Sequence, residues 1–320
     1  MKLSVIGNFG FKEKFLLKIL ENKFFFFSDF FFASENSINK CIIFFNKFYR
    51  IIKVEDLFLK NPEFIIFSSD FNSSLFWSPI FSDFGSIVID NSFAWNMNYN
   101  HKSIIQKINN NFLKISDRII SVPNFLITQL IMILIPIFIS HKIKKITLFI
   151  LQPFSNNNSK LFQSINERLG IFNVNNFFYS NTNSIMSNNV NKGENFKNEI
   201  KKIFDISDVV FDIRFIESSS LFSNSIFINI EFYEKFILSE IQDIFKNFSG
   251  IFIDNNFRNI FNFTCPSLFF SDLIFLQKIK KDTSNINSLN LSVSSNDLRN
   301  KPFFNIIQIF EHIYNCSFFI

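Results

Sequence analysis

Gly7 and Gly10 follow directly on the first apolar run of the chain, Leu3–Ile6, and they open a stretch with helical spacing, Phe11–Glu21 (Phe15, Leu16, Ile19, Leu20). A strand, a Gly-x-x-Gly turn and a helix, in that order, can bind phosphate. The first glycine permits a tight turn, and the second lets backbone amides approach a pyrophosphate at the helix N-terminus. A third glycine would allow the helix to pack closely on the strand, but Glu13 stands there. Two glycines are also what a plain strand-to-helix turn carries, so the position after the first strand gives the phosphate reading its weight. The other reactive residue types do not gather. Cys41, Cys265 and Cys316 lie far apart without a C-x-x-C pair, and His101, His141 and His312 do not cluster with them. No metal site is expected. An odd cysteine count without a framework, and no signal peptide ahead of the first strand, fit a cytoplasmic protein.

The elements that must position these groups are read through a biased composition. There are 52 Phe and only 6 Gly in 320 residues, with Asn, Ile, Lys and Ser also abundant. Phe, Asn, Ile and Lys are the residues of AT-rich codons, so the bias points to a reduced, AT-rich genome. A hydrophobic fraction of 48% is within the globular range, and the length suggests two domains. The net charge of +5 is spread over scattered lysines, which favours a solvated surface and no nucleic-acid partner. The most membrane-like run, Phe125–Ile139, is broken by Gln129 and Pro136 and falls short of the roughly 20 apolar residues a span needs. A buried core helix is expected there, and no membrane association.

Short apolar runs at Cys41–Phe45, Phe64–Phe67 and Ser86–Ile89 suit a parallel, doubly wound sheet following the first strand and helix. Ile146–Leu151 opens a second region. Asn156–Asn158 and Asn173–Gly193 are Asn/Ser-rich and read as loops. Val209–Ile216 and Ser225–Phe232 read as strands, and Leu238–Phe248 and Asn305–Tyr314 as helices.

Two segments carry a family resemblance. Gly85–Met97 (GSIVIDNSFAWNM) and Ile119–Gln129 (IISVPNFLITQ) resemble the aspartate-semialdehyde dehydrogenase family, in which a strand ending in IDNSSA(F/W)RM is followed by a P-N-C turn, a helix and a glutamine. The C-terminus extends the likeness: Lys281–Asn285 is similar to R-R-D-x-S-N, Ser288–Leu291 to G-L-N-L, and Leu298–Glu311 to L-R-K-G-A-A-x-N-A-V-Q-I-A-E. The series runs in order from Met1 to about His312.

The resemblance implies a fold: an α/β protein with a Rossmann-like dinucleotide-binding domain over residues 1–122, completed by a C-terminal helix at 299–320, and a mixed α/β catalytic and dimerisation domain over 123–298. It implies NADP as cofactor, aspartate semialdehyde and phosphate as small-molecule partners, and a homodimer. The family reaction interconverts aspartyl 4-phosphate and aspartate 4-semialdehyde on the way to lysine, threonine and methionine. A cysteine thiolate forms a thiohemiacetal, hydride passes to NADP, phosphate cleaves the resulting thioester, and a histidine serves as acid/base.

Carried over residue by residue, the cofactor positions are Gly7, Gly10, Ser34, Ser37 and Lys40, the last three from a segment similar to A-S-x-R-S-x-G-K. Its arginine position holds Asn36 and its glycine position Asn39, which weakens recognition of a 2′-phosphate. Asp70 and Phe71 fill a loop that is small and glycine-rich in the family, and Asn96 takes a phosphate-binding arginine's place. At the catalytic positions, Phe125 replaces the nucleophilic cysteine and Asn224 the histidine, while Gln152 is retained. Asparagine cannot shuttle a proton near neutral pH. Asn124, Glu194, Lys197 and Arg214 match substrate-binding positions, although Glu194 and Lys197 also read as an ordinary helix-surface pair. Three outcomes stay open: an eroded enzyme, a non-catalytic homologue that binds a ligand or a dimer partner, or the product of a decaying gene.

Overall fold

The computed structural model describes residues 1–23, 27–38, 40–106, 108–114, 116–153, 189–206, 208–218, 223–253, 274–296 and 301–315. The chain divides into two compact units, Met1–Thr128 with Asn300–Ile320, and Gln129–Arg299.

The first unit is built on a parallel sheet of β1 (Lys2–Gly7), β2 (Asp29–Ala33), β5 (Phe64–Ser68), β6 (Ile87–Asp90), β7 (Lys102–Ser103) and β8 (Ile119–Ser121), in the order β2-β1-β5-β6-β8-β7. Alternation along the strands feeds two cores. Leu3 and Val5 of β1 and Phe64 and Ile66 of β5 face Leu16 and Leu20 of helix α1 (Phe11–Glu21). Ile6, Ile65 and Phe67 face the other side, with Phe81 of helix α2 (Phe71–Asp83). Burying both faces is what allows nearly continuous apolar strands, and each fully buried Leu, Ile or Phe contributes about 1.5–3 kcal/mol. The C-terminal helix α6 (Lys301–Asn315) closes the first core with Ile306, Ile309, Phe310 and Ile313. Asn305 fixes it: its Nδ2 donates to the Ile104 carbonyl at 2.9 Å, and its Oδ1 accepts from Gln106 N–H at 2.9 Å. From β1 the chain runs first to β2 on one side and later to β5 on the other. The order therefore reverses between β1 and β5, which is where open α/β sheets bind ligands.

One expected strand does not join this sheet. Cys41–Phe44 (β3) pairs antiparallel with Lys47–Arg50 (β4) in a separate hairpin. Only Ile42 and Phe44 are buried, so the run has one core face and not the two a central parallel strand needs.

The second unit holds a mixed sheet, β10-β9-β11-β14-β13-β12: β9 (Ile143–Pro153), β10 (Val210–Ser218), β11 (Ser223–Phe232), β12 (Ile251–Ile253), β13 (Ile274–Lys281) and β14 (Ser288–Asn296). Ile146, Leu148, Ile150, Ile226, Ile228, Ile230, Leu289, Leu291 and Val293 alternate into the core. Helix α4 (Asn189–Phe204) packs on β10, with Phe196 edge-on to Phe215 at 5.4 Å, and α5 (Leu238–Asn247) packs on β12 and β13. Residues 189–193, read as loop from their Asn/Gly content, are the first turn of α4; the rest of that expected loop, and Asn156–Asn158, lie outside the described residues. Helix α3 (Phe125–Ser140) has the buried side chains of the core helix expected there. Among the described residues no helix is long and apolar enough to cross a membrane.

Candidate functional site

Gly7 ends β1 and pairs with Ser68 at the end of β5, so the glycine turn sits at the point where the strand order reverses. A Cβ on Gly7 would lie 3.0 Å from Glu13 Cγ and 3.3 Å from the Ser68 carbonyl oxygen, a tight fit that a side chain would meet only by displacing its neighbours by a few tenths of an ångström. Gly10 has an ordinary φ of −74°; it is Phe9, between the two, that takes the left-handed conformation at φ 53°, with its ring buried edge-on to Phe32 at 5.9 Å. Helix α1 starts at Phe11, and the Gly10 N–H that precedes it donates to Glu13 Oε2 at 2.8 Å. Ser68 Oγ donates to Glu13 Oε1 at 3.1 Å.

The serines of the neighbouring segment are engaged within the chain. Ser34 Oγ accepts the Asn36 and Ser37 N–H groups at 3.2 and 3.0 Å. Ser37 Oγ donates to the Asn8 carbonyl at 3.1 Å, and Asn36 Nδ2 donates to Asn8 Oδ1 at 3.4 Å. Lys40 is exposed, and Asn39 lies outside the described residues. Glu35, whose role has no local sequence signal, accepts from Ser73 Oγ at 2.9 Å and Trp77 Nε1 at 2.8 Å, both on α2. Asp70 caps α2 by accepting from Ser73 N–H at 3.3 Å.

The end of β6 holds a fully buried acid. Asp90 accepts from Ser74 Oγ at 2.6 Å and from the Ser92 hydroxyl at 2.8 and 3.0 Å, while Trp95 Nε1 donates to Ser74 Oγ at 3.1 Å. Burial pushes its carboxyl up from 3.8 to about 6, against the lowering pull of the Ser74 and Ser92 hydrogen bonds. The network fixes the loop after β6, in which Asn96 is buried and accepts from Ser121 Oγ. An Asp within an apolar strand end was visible in the sequence; its serine partners, sixteen residues back and two residues on, were the signal that could have identified the network.

Phe125 is the first residue of α3 and is only 4% exposed. Asn124 caps the helix: its Oδ1 accepts the Leu126 N–H at 3.0 Å and its carbonyl the Thr128 N–H at 2.8 Å. Gln129, one turn on from Phe125 and on the same helix face, is fully buried. A thiol in place of Phe125 would stand at a helix N-terminus, where the free amides and the helix dipole favour a thiolate.

In the second unit Leu151 pairs with Ser225, and Gln152 and Asn224 are the residues that follow this pair at the same end of β9 and β11. The fold therefore brings Gln152 and Asn224 together along the backbone. Glu194 and Lys197 form an exposed ion pair on α4 at 3.2 Å. Arg214, 64% exposed, pairs with Asp212 at 3.6 Å and lies over the Phe149 ring at 5.7 Å. Phe149 also lines a groove of about 400 Å³ with Phe227, Asn229, Lys280 and Asn290. Cys41 is exposed and free; Cys265 and Cys316 lie outside the described residues. Among the described residues no group of three His, Cys, Asp or Glu side chains could hold a metal ion.

No family model matches the chain. A curated aspartate-semialdehyde dehydrogenase of Prochlorococcus marinus is 25% identical to it, over 99% of this chain and 97% of the relative. The crystal structure of aspartate semialdehyde dehydrogenase II from Vibrio cholerae superposes with a TM-score of 0.82 at 20% identity, covering 99% of both chains. The aspartate semialdehyde dehydrogenase of Candida albicans, solved with NADP, gives a TM-score of 0.75 at 13% identity over 98% of both chains.

Proposed function

We propose that this chain, which belongs to the aspartate-semialdehyde dehydrogenase family, keeps the family's scaffold and has lost the covalent half of its chemistry. The family reaction interconverts aspartyl 4-phosphate and aspartate 4-semialdehyde with NADP in the cytoplasm, for lysine, threonine and methionine synthesis. The observation that carries the reading is Phe125, a buried ring at the first residue of α3, where the thiol would stand. Without a thiolate no bond forms to the aldehyde carbon, so neither thiohemiacetal nor thioester can follow. Asn224 at the acid/base position removes the proton shuttle as well.

What remains is a subunit. The β9–β11–β14 face with Phe149, Phe227, Asn229 and Asn290 is the surface on which a second copy, or an intact relative of the same fold, would dock. Asn124 still caps α3 and Gln129, one turn into that helix, is still buried; on these the second reading rests, family turnover through a different nucleophile.

A steady-state assay with semialdehyde, phosphate and NADP, following NADPH, separates the two. The unmodified chain is expected to be silent, and turnover by it would overturn the proposal. A Phe125→Cys/Asn224→His variant runs beside it. Turnover there alone would assign the loss to these two side chains, and silence in both proteins would indicate a further loss at the nucleotide turn.

A further inference from the structure

We infer that the dinucleotide site at the Gly7–Gly10 turn is closed from within, by the Glu13 carboxylate standing where a cofactor's phosphate would sit. The N-terminus of a helix that follows the first strand at a sheet's switch point attracts an anion, because its first amides have no partner in the helix. Here that anion belongs to the chain. Glu13 Oε2 takes the Gly10 N–H at 2.8 Å and Oε1 takes the Ser68 hydroxyl at 3.1 Å, so the carboxylate ties the glycine turn to the end of β5 at the reversal of strand order.

The space is taken as well as the charge. The gap left by the missing Cβ of Gly7 is what lets a pyrophosphate approach, and Glu13 Cγ lies 3.0 Å from that point. Asn8, in the middle of the turn, is tied to Asn36 and Ser37, so the turn is braced on its outer side too.

A glutamate three residues into a helix commonly reaches back to the capping amide, and such a glutamate is usually a surface group. Glu13 differs in being buried, at 7% exposure, in its bond to a second strand, and in packing over Gly7. NADP therefore does not fit the turn as built, since a phosphate brought to the Gly10 amide would meet a buried carboxylate already bound there.

The test is ligand binding by the full chain with Phe125 in place, so it is independent of turnover and of the fate of the nucleophile. NADP, NAD and inorganic phosphate are titrated by calorimetry and thermal shift against the unmodified protein, Glu13→Gly and Glu13→Gln. The glycine variant restores the third glycine. The glutamine variant keeps the size and an acceptor for the Gly10 N–H, so it stays folded if the first does not. The unmodified chain is expected to show no saturable binding. Removing the charge should tighten NADP or phosphate by about tenfold or more, with the glycine variant ahead of the glutamine variant because it also frees the space. A response to phosphate but not to NADP would still support the inference, since it reports the anion position alone. Saturable NADP binding by the unmodified chain would overturn it, and so would folded variants that bind nothing.

Discussion

The Gly7–Gly10 turn and the Pro123–Asn124 turn occupy equivalent places, each at the C-terminal end of a parallel strand and each leading into a helix. They have been closed in opposite ways. In the first an acid has moved in, and it had to find partners, because a buried charge without them is costly; Gly10 and Ser68 supply them. In the second, on the proposed reading, an apolar ring stands in a nucleophile's place, and it needs only to be buried. The difference shows two kinds of loss. The ring is held by burial alone, whereas the acid is hydrogen-bonded to the turn before α1 and to the end of β5.

The largest effect follows from reversing both closures. Phe125→Cys/Asn224→His/Glu13→Gly should turn over the semialdehyde, and returning Phe125 to that variant should cost about a million-fold, the scale seen when a covalent enzyme loses its nucleophile. Turnover that does not depend on Glu13 would mean that the first turn was never closed.

Phe125 should count for stability as well. If the ring is core packing, Phe125→Ala will destabilise the chain by about 3–5 kcal/mol in urea unfolding. A cost below about 1 kcal/mol would make Phe125 a plug in an otherwise open site rather than part of the core.

What could be read from the sequence follows the same division. The strand at Leu3–Ile6 and the helix at Phe11–Glu21 are legible because their apolar spacing matches one period and their burial agrees with it. The hairpin at Cys41–Arg50 is not. Its turn is Phe45-Asn46, both at positive φ (47° and 57°), where Asn-Gly is the usual signal and a phenylalanine is unexpected. In so Phe-rich a chain, apolar and buried also part company: Ile43, Phe48, Phe76 and Phe84 are all exposed. Helix α2 escaped for a related reason, with Pro79 inside it and weak one-sided spacing. At the site, Phe125 and Asn224 stand out as substitutions within a recognisable pattern. Glu13 reads only as a missing glycine, because its partner Ser68 is 55 residues away and pairing at that distance leaves no local trace.

Asp90 offers a third buried side chain to compare with those of the two turns, through pH. Its carboxyl lies at about 6 in the folded chain and near 3.8 when unfolded. Between those values the unfolded chain releases the proton and the folded chain holds it. Stability must therefore fall as pH rises through the window, by about 3 kcal/mol in all, with no further loss above it. Asp90→Asn cannot ionise, so the difference between its unfolding free energy and that of the unmodified chain should grow from pH 4 to pH 6 and then level off. A constant difference would mean that the Ser74 and Ser92 hydrogen bonds offset the burial completely.

The smallest effect concerns the second unit. Glu194 and Lys197 hold substrate positions by resemblance, yet they meet as an exposed pair three residues apart on α4. Such pairs contribute about 0.2–0.5 kcal/mol, and salt screens them. If that is their whole role, Lys197→Ala will shift unfolding by no more than this and will leave the KM for phosphate unchanged in the variant with restored turnover. A tenfold rise in that KM with unchanged stability would return Lys197 to the substrate. It would also show that the second unit kept its binding groups after the first had closed both of its turns, because a cation on a helix surface can be held there by ligand binding while adding almost nothing to the fold.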